Sequence, residues 1–307
     1  MQHKKLELTL GPILFFWSKE MMLDFYQQMM QLPLDRIYLG ETVCSRRQEF
    51  KLADWIDLAH DLSSGGKKII LSSQVLMESE SDLRRLRKLV EQEEFTIEAN
   101  DLGAVNMLHA KGLPFIAGQS LNIYNEQTLA LMQSLGAISW VASVELAAEK
   151  LALIIAEMPD MACEVMSWGK LPLAYSSRCF TARHYNLKKD SCEFKCLQHV
   201  EGLKLYTREH ESFLTINGIQ TMSAACCCLL AHYAQMCQLG VAAMRLSPQQ
   251  QHMAEIVQIY RQVIDGKLAA ADAVAILQGL TSDKLVDGYW LGKEGIKCNE
   301  EVSCAGS

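Results

Sequence analysis

Four cysteines in this chain have the spacing and the company to hold a metal group. Cys192 and Cys196 form C-x3-C, one turn apart if the segment is helical, so two sulfurs can aim at one point; Cys179 stands twelve intervening residues upstream. A fourth thiolate is available from Cys44, in the short polar loop Gly40-Glu41-Thr42-Val43-Cys44-Ser45-Arg46-Arg47. Structural zinc sites usually carry paired C-x2-C knuckles, which are absent here, whereas iron–sulfur clusters accept irregular spacings and ligands from distant loops. A [4Fe-4S] cluster on four thiolates carries a charge of about −2 and needs cations around it. Arg46, Arg47, Arg178, Arg183, Lys188, Lys189 and Lys195 crowd these cysteines. The residues alone leave three readings open: a cluster, which they favour, a zinc site, and ordinary cysteines. After Cys196 come Leu197-Gln198-His199, so the C-x3-C-x2-C of radical S-adenosylmethionine enzymes is absent.

The other cysteines read differently. Cys226, Cys227, Cys228 and Cys237 fall in an apolar run, Cys226–Gly240, that is expected to be a helix with small core residues, and Cys163 falls in a strand. Cys298 and Cys304 lie in a polar tail. Two carboxylates are candidates for acid or base work: Glu145 in Ser143-Val144-Glu145-Leu146, and Glu164. Each falls near a strand, where a buried acid needs a basic partner or a catalytic reason. Asn122 and Tyr124 could line a substrate pocket or simply cap a helix. No H-x3-H, H-E-x2-H, Walker A or Gly-x-Ser-x-Gly pattern occurs.

These groups need a scaffold, and the hydrophobic pattern supplies one. Strand-like runs recur at Leu6–Pro12, Arg36–Leu39, Lys68–Leu71, Phe95–Ala99, Pro114–Ala117, Ile138–Ala142, Cys163–Met166 and Val241–Leu246. Helical periodicity fills Ser18–Met30, Leu52–Leu62, Asp82–Glu93, Leu102–Lys111, Glu126–Leu135 and Val144–Glu157, with Ser18 and Ser81 as expected N-caps. One βα unit every 20–30 residues predicts a single (β/α)8 TIM-barrel-like domain over residues 1–307, with a doubly wound sheet as the alternative. The period breaks at an insertion over 167–240, after strand seven, which carries most of the cysteines. Two helices, Gln249–Ile264 and Ala269–Leu280, are expected to close the domain before a flexible tail over 290–307. Loops after barrel strands are where this architecture places its chemistry.

Bulk composition bounds the setting. Among 307 residues, 29 Lys+Arg against 36 Asp+Glu give a net charge of −7, and half of the residues are hydrophobic, which suits a large core and offers nucleic acid no general attraction. His3-Lys4-Lys5 and the apolar run from Leu8 to Trp17 mimic a signal peptide, yet Gly11-Pro12 interrupts the run and no small-residue cleavage site follows. A first β-strand, a cytoplasmic location and no transmembrane segment are expected. The odd count of eleven cysteines also speaks for thiols rather than a disulfide framework.

The run Glu164-Val165-Met166-Ser167-Trp168-Gly169-Lys170-Leu171-Pro172-Leu173-Ala174-Tyr175-Ser176-Ser177-Arg178-Cys179 resembles the signature of the collagenase-like peptidase family, roughly E-V-F-x-H-G-A-L-C-x-A-Y-S-G-x-C. Asn100-Asp101-Leu102-Gly103, Leu121-Asn122-Ile123-Tyr124-Asn125 and Ser143-Val144-Glu145-Leu146 extend the likeness over most of the chain. The resemblance implies a (β/α)8 barrel and, despite the label, iron–sulfur chemistry in O2-independent hydroxylation of RNA bases or ubiquinone precursors. Trp168 and Pro172 stand where the signature has its His and first Cys, so one usual ligand is missing and Cys44 can replace it. That exchange is similar to the family's ubiquinone-biosynthesis branch. It implies a [4Fe-4S] cluster on Cys44, Cys179, Cys192 and Cys196, a heterodimer with the homologue UbiU, the lipid-binding protein UbiT and ubiquinone precursors as further partners, and no nucleic acid. Peptidase activity is not expected, because no nucleophile–base pair or zinc-protease motif is evident.

Overall fold

The structure is a computed structural model, described here for residues 5–298. Eight parallel strands close a barrel: β1 (Glu7–Leu10), β2 (Arg36–Leu39), β3 (Lys68–Ser72), β4 (Thr96–Ala99), β5 (Phe115–Ala117), β6 (Ala137–Val141), β7 (Ala162–Tyr175) and, after three strands of the insertion, β11 (Ala243–Leu246). Closure is made by β11, which pairs with β1 through Glu7↔Ala243 and with β7 through Ala243↔Glu164. The eight strand positions expected from the hydrophobic pattern are the eight barrel strands.

Helices α1 (Lys19–Met30), α2 (Leu52–Ser64), α3 (Glu80–Glu91), α4 (Leu102–Ala110), α5 (Glu126–Ser134) and α6 (Ala148–Glu157) follow the first six strands. The first shows why. Met22, Phe25, Tyr26 and Met29 repeat at helical spacing and are buried, while Ser18 Oγ accepts the Met21 N–H. The cap expected at Ser81 is instead Ser79, whose hydroxyl accepts the Asp82 N–H while the Asp82 carboxylate accepts the Glu78 N–H, a reciprocal pair that starts α3 two residues earlier.

The insertion departs most from expectation. Cys226, Cys227 and Cys228 are not helical; they end strand β10 (Gln220–Cys228), paired with β7 on one side and with the short β12 (Leu285–Val286) on the other. Only Tyr233–Leu239, α8, is helical in that run, and it carries Cys237. A local pattern of small apolar residues could not reveal that β7 runs on for 14 residues and offers an edge for β10 to pair with. The turn out of the barrel is made at Gly169, whose φ is +112° and where a Cβ would meet Ser247 Cβ at 2.6 Å. Strands β8 (Leu203–Tyr206), β9 (Ser212–Asn217) and β10 form an antiparallel sheet beside the short helix α7 (Phe180–His184).

Helices α9 (Met253–Ile264) and α10 (Ala270–Gly279) close the domain. The tail expected from residue 290 starts as ordered chain: Trp290 is buried, donates from Nε1 to Gln235 Oε1 at 2.8 Å, and accepts the Ala148 N–H at 2.9 Å. Cys304 lies outside the described residues. Among those described, no helix is long and apolar enough to cross a membrane.

Candidate metal centre and barrel mouth

Cys44, Cys179, Cys192 and Cys196 line one small cavity beside the barrel. Cys44 follows β2 in a loop pinned by Glu41, whose Oε1 accepts the N–H groups of Val43 and Cys44 at 2.9 and 3.0 Å. That loop starts at Gly40, with φ +140° and the Ser72 carbonyl oxygen 2.5 Å from where a Cβ would be, so only glycine lets it turn there. Cys179 caps α7, its sulfur accepting the Ala182 N–H at 3.4 Å. Cys192 and Cys196 are not related by a helical turn as C-x3-C suggests. Glu193 and Phe194 between them are both left-handed, and the two sulfurs are brought to the cavity by a reversal between short 3-10 turns. Among the described residues no three His, Cys, Asp or Glu side chains converge on a single-ion site, so the cavity lining is what unites the four sulfurs.

The charges around them are one-signed. Arg46, Arg47, Lys189 and Lys195 line the cavity and no acid does. Their partners Asp190, Glu41, Glu78 and Glu193 lie outside the lining. Arg178, Arg183 and Lys188 do not reach it. Arg47 is the buried anchor: it donates to the Leu14 carbonyl at 2.9 Å and to Asn217 Oδ1 at 2.6 Å, and its guanidinium lies 5.4 Å from the centre of the Phe16 ring. Burial pushes the Cys44 and Cys196 thiols up, and the charge of Arg47 opposes that rise at both. The Nε atoms of Arg46 and Arg47 are buried without a hydrogen-bond partner. Four soft sulfurs, four cations and two orphaned donors fit an anionic thiolate-bound cluster.

Glu164 lies elsewhere, inside the barrel. Oε1 accepts from Thr9 Oγ1 and Arg245 Nε, both at 2.6 Å; Oε2 accepts from Tyr38 OH at 2.6 Å and Arg36 Nη1 at 3.4 Å. Arg245 also donates to Glu98 at 2.7 Å, and its guanidinium stacks 4.0 Å from the Tyr38 ring centre. Burial raises the Glu164 pKa, and Arg245 and Arg36 more than reverse the effect, so its carboxyl is held below the usual range. These contacts are the basic pairing that a buried acid at this position needs. Glu145, the other candidate acid, lies on the exposed turn after β6, accepting from Tyr124 OH at 3.0 Å.

The open end of the barrel is a second, small pocket. Gln119 and Ser120 line it, rather than Asn122 and Tyr124, because a left-handed Asn122 turns the chain outward. Thr42, Glu98, Asn100 and Arg245 also line it and were missed from the sequence. Arg245 and Glu98 had a readable signal, since each is a charge inside an apolar strand. Pro172, at the signature's first cysteine position, faces this mouth, while Trp168 is buried and bonded to Gln249.

The chain is 28% identical over 173 residues to tRNA hydroxylation protein P of Escherichia coli (strain K12), and 26% identical over 174 residues to the protein of the same name from Haemophilus influenzae. Each match covers 53% of this chain and 37% of the relative, so the chain matches well under half of the length of these curated proteins. A solved U32 peptidase structure aligns with 81% of this chain and 95% of its own at 11% identity, TM-score 0.46. A putative dihydrodipicolinate synthetase from Pseudomonas aeruginosa aligns with 89% of this chain and 80% of its own at 8% identity, TM-score 0.49. The model of peptidase family U32 matches residues 23–299, and the chain therefore belongs to that family.

Proposed function

We propose that Cys44, Cys179, Cys192 and Cys196 hold a [4Fe-4S] cluster, and that the protein is the iron–sulfur subunit of an O2-independent hydroxylase. The observation that carries this is the single cavity lined by all four cysteines and by four cations. A bound cluster supplies electron transfer, its potential set by nearby charge and hydrogen bonds. The chain's own part is to place the sulfurs, through Glu41 on the Cys44 loop and the α7 cap at Cys179, and to balance their charge through Arg47. Curated relatives named for tRNA hydroxylation support the reaction class.

Ubiquinone precursors are the proposed substrates, in the manner of a UbiV-type subunit paired with UbiU and served by UbiT. The missing His and first Cys at Trp168 and Pro172, with Cys44 in compensation, support this branch. A second reading, hydroxylation of an RNA base, takes its support from the names of the relatives, against which stands the net charge of −7. Iron and sulfide analysis after anaerobic purification tests the ligands: full cluster content in Cys44→Ala rejects the assignment. Comparing quinone intermediates and modified nucleosides in an anaerobically grown deletion strain tests the substrate. Loss of an RNA hydroxylation with normal ubiquinone would select the second reading.

A further inference from the structure

The mouth of the barrel contains two buried polar atoms that nothing in the protein satisfies. Arg245 is 6% exposed and Thr42 is 2% exposed; both line the mouth pocket, and Arg245 Nη2 and Thr42 Oγ1 have no hydrogen-bond partner. Buried donors are almost always paired, so two orphans on one cavity mark the place of a group from outside. Elsewhere on the Arg245 guanidinium, Nε is bonded to Glu164 and Nη1 to Glu98, and these two bonds fix the plane in which the Nη2 hydrogens lie.

We infer that the barrel mouth is a binding site for a small uncharged molecule, a hydroxyl- or oxo-substituted hydrocarbon whose oxygen accepts from Arg245 Nη2 and bonds to the Thr42 hydroxyl. Charge decides against an anion. The buried acids Glu98 and Glu164 are matched by Arg245 and Arg36, so the interior is balanced and a ligand carboxylate would enter without a counter-charge. Apolar walls from Pro12, Leu14, Val75, Met166 and Pro172 suit a ring face or a short hydrocarbon. The site does not depend on the cluster assignment. Thr42 and Cys44 share a loop, but the two residues line different cavities.

Phenol is a suitable probe, and benzoate its charged counterpart. In ligand-observed NMR on the full chain, phenol is expected to bind with a Kd on the order of a millimolar, a usual affinity for so few atoms, and benzoate at least about tenfold more weakly. Thr42→Val loses no hydrogen bond of the protein, so it is expected to fold with an unchanged or higher Tm and to bind phenol about fivefold more weakly, the worth of one neutral hydrogen bond. Absent phenol binding, phenol affinity unchanged in Thr42→Val, or benzoate binding as tightly as phenol each overturns the proposal. Because binding is read with and without loaded iron, its failure leaves the cysteine assignment to stand or fall on iron content alone.

Discussion

Two charged regions of this barrel are built on opposite rules. Inside the barrel, Glu164 and Glu98 meet Arg245 and Arg36, so each buried acid has a cation bonded directly to it, although Arg36 Nε and Arg245 Nη2 stay unbonded. At the cysteine cavity the lining holds four cations and no acid, and two guanidinium Nε atoms stay unbonded. The first region is closed by its own counter-ions and spends its charge on holding strands together. The second keeps its balancing charge outside the lining, which is the arrangement an anionic guest requires.

Substitutions in the two regions should therefore fail differently. Glu164→Ala leaves Arg245 and Arg36 buried with a lost partner and is expected to cost about 3–5 kcal/mol in chemical denaturation; a cost under about 1 kcal/mol would erase the contrast. Arg47→Met removes charged donors from the Leu14 carbonyl and Asn217, and should cost about 2–3 kcal/mol while also lowering retained iron. The interior should also carry a pH signature. The Glu164 pKa is depressed in the fold, so its stabilisation is complete above the unfolded carboxyl's pKa and drains as pH falls through the folded value. Glu164→Gln should flatten that acid limb of stability against pH. In metal-free protein Cys44→Ala should change stability by less than about 1 kcal/mol, the effect appearing instead in iron content. Glu145→Gln, on an exposed turn, should stay within about 0.5 kcal/mol of wild type.

The barrel was legible in the sequence because its evidence is periodic: eight apolar runs, each with the same helix-sized gap except one, suit a closed eight-stranded barrel, while the closure of β11 onto β1 that excludes a doubly wound sheet had to come from the structure. The cysteines were legible in type and neighbourhood, through C-x3-C and the surrounding arginines and lysines. What stayed hidden was long-range pairing. Cys226, Cys227 and Cys228 look helical until β7 is known to continue past the barrel and receive β10 as a neighbour. The roles of Glu164, Glu98 and Arg245 depend on contacts between residues up to 155 positions apart, which no local window contains. Whether Glu145 is buried or exposed was not legible, because a loop after a strand looks the same in sequence whether it folds inward or out.

The length of β7 has a structural meaning. One hydrogen-bonded strand carries Glu164 near its start, bends at Gly169, and ends four residues before Cys179. The same strand is held by β6 and β11 on the barrel side and by β10 beyond it, so the ion-paired interior and the approach to Cys179 belong to one continuous run of paired backbone.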